Sequence, residues 1–276
     1  MSERQRVAVR KTYKLFVGGK FPRSESGRSY LVQDSNVALA SRKDARDAVV
    51  AARAAVKGWS GATAYNRGQI LYRIAEMLEG RRDQFVGLGL PADEVDEAID
   101  RWVWYAGWAD KIAQVYGGAN PVAGPYFNLS APEPTGVVAV VAPSTPALLG
   151  LVSVVAPAIV TGNTVVVLAA EESPLAAITL AEVLATSDLP GGVVNILTGR
   201  VAETAPWLAA HMDVNAVDLT GVTEPELAAD LERAAAENLK RVLRPPADAP
   251  DWSADPGVHR MTALLETKTV WHPRGI

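Results

Sequence analysis

The chain has 276 residues, a formal net charge of −4, 49% hydrophobic residues and no cysteine. Without a basic cluster, this balance excludes nucleic acid and anionic lipid surfaces as partners. The missing thiol excludes disulfides, thiolate metal sites and thiol catalysis by these residues. No apolar run is long and charge-free enough to span a bilayer, and Arg4, Arg6, Arg10 and Lys11 lead into no apolar leader core, so the expected location is cytoplasmic.

In chain order, a polar tail precedes Lys11, and residues 14–17 and 29–33 read as a hairpin-like opening around Gly18-Gly19. Ser41 caps a helix whose Ala45, Ala48, Val49, Ala52, Ala55 and Val56 recur at helical spacing, with Gly58 as its stop. Thr63 caps a second helix, with Ile70, Leu71, Ile74 and Leu78 on one face and Gly80 past its end. A short piece at 81–90 meets Pro91, and one long helix is predicted over 92–116 with Val95, Ile99, Trp102, Ala106, Ala109 and Ala113 in register. Asp93, Glu94, Asp96 and Glu97 read as a charged helix start facing water, not as paired catalytic carboxylates. Trp102, Trp104 and Trp108 fall on two helical faces, as core and seam residues do. Residues 117–134 are rich in Pro and Gly, with an extended piece at 126–131.

The centre of the chain is the most regular part. Residues 137–141 form a valine run of the kind needed by a parallel strand covered on both faces. Pro143 and Pro146 end it, 147–160 is an apolar helix, Gly162 is a left-handed stop, and 164–168 is a second buried strand. Strand, helix and strand make a βαβ unit. The alternation continues: a helix from Pro174 to about 187 capped by Ser173, a strand at 193–197, a short helix to His211, a strand at 216–219, a helix over 225–240 and a strand at 241–243. The buried stripe of the helix over 225–240 is predicted as Leu227, Leu231, Ala234, Ala235 and Leu239. The expected class is α/β, a doubly wound Rossmann-like parallel sheet with N-terminal helices. Residues 1–243 form this unit, 244–256 read as a Pro- and Asp-rich linker, and 257–276 hold a C-terminal strand at 265–271.

The run P-T-G-V-V-A-V-V-A-P at 134–143, A-P-A-I-V-T-G-N-T-V-V at 156–166 and E-E-S-P at 171–174 resembles the cofactor-domain core of the aldehyde dehydrogenase superfamily. L-F-V-G-G-K at 15–20, the helix ending in Gly58-Trp59-Ser60 and the tail G-V-H-R-M and L-E-T-K-T-V-W are similar to the same family. The resemblance implies that the catalytic domain would stand between Leu243 and Gly257, and that the strands near 117–134 and the tail belong to a small β oligomerisation arm.

The family mechanism implied by the resemblance uses a cysteine nucleophile, a glutamate base, an asparagine donor for the oxyanion and a bound nicotinamide. This chain has no cysteine. Leu239-Lys240-Arg241-Val242 matches the family, but Pro245 then stands at the base position. Pro143-Ser144-Thr145 replaces the family's P-W-N, leaving Thr145 where the amide should be. No catalytic residue and no metal ligand is therefore assigned; His211, His259 and His272 lack metal-site spacing. The cofactor site implied by the family is reduced to Glu171, Thr220 and Gly221. Leu168 replaces the lysine that meets the adenosine ribose, and Gly221-Val222-Thr223-Glu224-Pro225-Glu226 replaces G-S-T-x-x-G, placing acids where a pyrophosphate should arrive.

The expectation is thus a non-catalytic family member that binds NAD weakly or not at all. Its expected partner is a full-length aldehyde dehydrogenase, in a hetero-oligomer. The alternatives are an NAD(P)-dependent aldehyde dehydrogenase, as the family label implies, and an NAD-binding sensor without chemistry.

Overall fold

In the computed structural model, the described residues are Val7 and residues 9–275; the rest of the polar tail expected before Lys11 lies outside them. Thr12–Tyr13 (β1), Ser29–Val32 (β2) and Ser35–Ala38 (β3) form a small sheet in the order β1-β3-β2. The hairpin is β2–β3, not the predicted pairing of 14–17 with 29–33. Its two central residues, Gln33 and Asp34, have φ of 47° and 60°, the left-handed pair that a tight hairpin turn requires. Neither is glycine, so the usual sequence signal is absent. Phe16 instead makes an antiparallel bridge to Ile196.

Arg42–Ser60 (α1) begins with a capping box between Ser41 and Asp44 and runs through Gly58 to Gly61. Tertiary contact overrides the predicted glycine stop: Trp59 is buried and its Nε1 donates to Ile159 O at 2.8 Å. Ala64–Glu79 (α2), capped by Thr63, leads to Arg82–Val86 (α3). The long helix predicted over 92–116 is two, Ala92–Ala106 (α4) and Ile112–Tyr116 (α5), broken after Gly107. Gly118–Asn120 (β4) and Tyr126–Pro134 (β5) follow.

Val137–Val141 (β6), Leu149–Val160 (α6) and Thr164–Leu168 (β7) make the βαβ unit, and every residue of the three is buried. Gly162, with φ +96°, supplies the left-handed turn between α6 and β7. Pro174–Leu184 (α7), Val194–Leu197 (β8), Val201–Ala209 (α8), Ala216–Asp218 (β9), Pro225–Ala236 (α9) and Arg241–Leu243 (β10) complete an all-parallel sheet ordered β10-β9-β6-β7-β8. Ser173 occupies the α7 cap position without a side-chain cap bond. α9 ends at Ala236, so Leu239 leaves the predicted stripe; it has φ +57° and is exposed, while Leu231 and Ala235 are buried.

Both faces of the sheet are covered, which is why its strands read as continuous apolar runs. Val138, Val140, Val165 and Val167 pack with α6 and α7, backed by α2 and α4. Val137, Ala139, Val141 and Val166 pack with α1, α8 and α9. Each fully buried valine side chain contributes about 1.5–3 kcal/mol, so this centre dominates the fold. His259–Thr262 (α10) and Leu265–Pro273 (β11) close the chain, with β11 antiparallel to β5 over nine residue pairs in a sheet ordered β11-β5-β4. Among the described residues no helix is long and apolar enough to cross a membrane.

Candidate functional site

The sheet is laid down from β6 through β7 to β8 in one direction, then from β9 to β10 on the other side of β6. Ligands of open α/β sheets enter at the carboxyl ends of the strands beside such a reversal. The three residues assigned to the cofactor site all lie at this end. Glu171 follows β7, and Thr220 and Gly221 follow β9, with β6 between the two groups.

Their side chains do not converge on a common space. Glu171 Oε1 accepts from Val201 N at 2.7 Å and Oε2 from Arg200 Nη1 at 2.8 Å, so the carboxylate serves the first turn of α8, which has no side-chain cap of its own. Beside this pair the Tyr30 phenol is pushed up to about 12, first by burial and then by the Glu171 charge. Thr220 N donates to Asp218 Oδ1 at 3.0 Å and its hydroxyl donates to the same oxygen. Gly221 N donates to Val141 O at 3.0 Å, folding the loop after β9 onto the end of β6. A Cβ on Gly221 would lie 2.1 Å from Ala142 O, so this glycine serves close backbone approach.

The acids of α9 stand where predicted: Glu224 is its N-cap residue and Glu226 lies in its first turn. Ser144 and Thr145 are exposed just past β6, and Leu168 is the buried last residue of β7. Between the sheet and helices α8 and α9 the remaining space near Val141, Leu168, Leu208 and Leu231 is about 10 Å³, room for one water at most. His211 Nδ1 accepts from Asp213 N at 3.1 Å, and burial lowers its pKa. Among the described residues no group of three or more His, Cys, Asp or Glu could hold a metal ion.

Several residues that sequence reasoning passed over organise this end. Glu94, read as a water-facing acid, crosses to α6 and accepts from Leu148 N at 2.6 Å and Leu149 N at 3.4 Å. It thereby supplies a carboxylate to a helix start without a side-chain cap. Asp96 does face water, paired with Arg82. The segment 244–256, read as a linker, is held down: Trp252 is buried, and Arg101 donates to Trp252 O at 2.5 Å, Ala254 O at 3.1 Å and Ser153 Oγ at 3.0 Å. Desolvation lowers the pKa of Arg101, whose three acceptors carry no charge. Arg260 pairs with Asp218 at 3.0 Å. The available signals were an arginine beside the apolar stripe of α4 and a tryptophan in a Pro-rich stretch.

The fold and this crevice define an α/β protein of the doubly wound, Rossmann-like type. The sequence profile of the aldehyde dehydrogenase family matches residues 33–244, and the chain belongs to that family. It is 34% identical over 251 residues to "Aldehyde dehydrogenase, cytosolic 1" of Elephantulus edwardii, covering 83% of this chain and 49% of that protein. To "Putative aldehyde dehydrogenase DhaS" of Bacillus subtilis (strain 168) it is 31% identical over 261 residues, covering 88% of this chain and 52% of the relative. The NAD+ complex of an aldehyde dehydrogenase from Bacillus cereus superposes with a TM-score of 0.79 at 27% identity, over 84% of this chain and 50% of that one. HpcC from Thermus thermophilus gives 0.78 at 31% identity, over 84% and 47%. The chain spans about half the length of the curated relatives it matches.

Proposed function

We propose that this chain is a non-catalytic member of the family that assembles with a full-length aldehyde dehydrogenase and stabilises or regulates it. The observation that carries the reading is the arm. β11 ends the order β11-β5-β4, and among the described residues it pairs with β5 alone. An open strand edge of nine residues is a ready template for another chain. One face of this sheet presents Phe127 and Leu129, which are 40% and 38% exposed, beside partly buried Val270. On the other face Tyr126 and Trp271 meet edge to face at 5.7 Å. Exposed apolar side chains on the faces of a sheet whose edge strand is open favour a protein neighbour over water.

The chemical half of the reading rests on residue types. No thiol exists in the chain to attack an aldehyde, and Pro245 cannot accept a proton. The cofactor half rests on the crevice. Glu171 is engaged at α8, Gly221 is packed on β6, Glu224 and Glu226 meet the approach to α9, and the space beneath α8 and α9 is filled. A pyrophosphate arriving there meets like charge, so these residues do not fit a dinucleotide.

The purified chain is expected to show no NADH production from aliphatic or aromatic aldehydes, and calorimetry with NAD is expected to show no binding tighter than millimolar. Micromolar affinity would move the reading to a nucleotide sensor. Turnover that survives repurification and disappears in point variants of this chain would overturn it.

A further inference from the structure

The crevice at the sheet reversal is filled from within the chain. Asp218 ends β9 and is only 2% exposed, yet it carries a carboxylate. Arg260, from α10, sets Nη1 3.0 Å from Asp218 Oδ2, and both its terminal nitrogens reach Thr220 Oγ1 at 3.1 Å. Its guanidinium carbon lies 5.3 Å from the centre of the Trp252 ring. Trp252 is held in turn by Arg101 of α4 through its backbone carbonyl. Downstream, Met261 and Leu264 are buried, and the Leu264 carbonyl accepts from Asn163 Nδ2 at 2.9 Å. Residues 252–264 are thus fastened to β9, α4, and the α6–β7 turn at three separate places.

We propose that residues 252–264 form a strap that closes the switch-point crevice in cis, and that the crevice is a guanidinium site whose resident ligand is Arg260. One terminal nitrogen on a buried carboxylate, with both on the neighbouring hydroxyl, is a planar arrangement that arginine supplies and lysine does not. The strap and the crevice are therefore coupled. Lifting the strap strips Asp218 of its partner cation, and the uncovered crevice then presents a carboxylate instead of a phosphate cradle. Open or closed, it rejects a dinucleotide, and only a cation of guanidinium shape replaces what leaves. This goes beyond the assembly reading and holds whether or not the chain meets a partner.

Hydrogen–deuterium exchange on the full chain tests it, with the β6 and β7 amides as the internal reference for folding. In the wild type, amides of 252–264 are expected to be protected. Arg260→Ala is expected to speed their exchange about tenfold or more while the reference amides hold, since a single buried charge contact fastens that end. Millimolar N-ethylguanidine is expected to return the variant toward wild-type protection, and ADP-ribose is not. Asp218→Asn keeps a side-chain oxygen to accept from Thr220 but lacks the charge. It is expected to loosen the same segment, without rescue by the guanidine, and supplies the test should Arg260→Ala fail to fold. Coil-like exchange of 252–264 in the wild type, no effect of either variant, no rescue of Arg260→Ala by the guanidine, or rescue by ADP-ribose in its place would overturn the proposal.

Discussion

Asn163→Ala is expected to destabilise the chain by about 2–5 kcal/mol, because the buried Gly136 N is left without a partner, at about 1–3 kcal/mol, while Leu264 O and Thr161 Oγ1 each lose one of their bonds, at about 0.5–1.5 kcal/mol. Asn163 is fully buried, and its Oδ1 accepts from Gly136 N at 2.7 Å. Its Nδ2 donates to Leu264 O at 2.9 Å and Thr161 Oγ1 at 2.8 Å. One side chain therefore joins the start of β6, the end of α6 and the segment leading into β11. Urea titration should show a lower midpoint at unchanged slope, since the loss is in the native state. Asn163→Asp restores an acceptor for Gly136 but turns an oxygen toward the Leu264 carbonyl, so it should recover only part of the loss. A change below about 1 kcal/mol for the alanine variant would mean that water or backbone replaces all three bonds.

Gly221→Ala is the second large effect. The added methyl carbon falls 2.1 Å from Ala142 O and 2.8 Å from Val141 O, both backbone atoms that cannot rotate aside. The loop after β9 must lift from β6 and give up the Gly221 N to Val141 O bond. Overpacking of this kind costs about 1–3 kcal/mol and more against backbone, so about 3 kcal/mol is expected. Gly257 is the control: it has φ +57° and nothing within 4 Å, so alanine there carries only dihedral strain, about 1–2 kcal/mol. A ranking with Gly257→Ala the more damaging would contradict the close approach at Gly221. Thermal melts of the two variants decide it.

The parts of the fold visible in the sequence were those fixed by local chemistry. The strands 137–141 and 164–168 coincide with β6 and β7 because a short valine-rich run opening just after a glycine has few alternatives as a doubly covered strand. Ser41 and Thr63 cap as read, because a cap is a bond over three residues. What escaped depends on neighbours distant in sequence. Gly58 does not stop α1, since Trp59 reaches Ile159 O a hundred residues away. Glu94 looks like any acid at a helix start until α6 is laid across it. The Pro-rich stretch holding Trp252 has the composition of a linker, and only the fold places Arg101 beneath it. The site residues show the same division. Their position at the strand ends follows from the βαβ pattern, whereas the bonds occupying Glu171 and Thr220 come from Arg200, Val201 and Arg260.

The central claim is assembly through the arm, and native mass spectrometry of the tagged protein purified from its own cells tests it most directly. The account predicts a complex in which the chain is bound to a family subunit of about twice its length, and predicts that Phe127→Glu with Leu129→Glu releases the chain while its circular dichroism is unchanged. A wild-type chain found only as a monomer, or a complex indifferent to the arm substitutions, would contradict it.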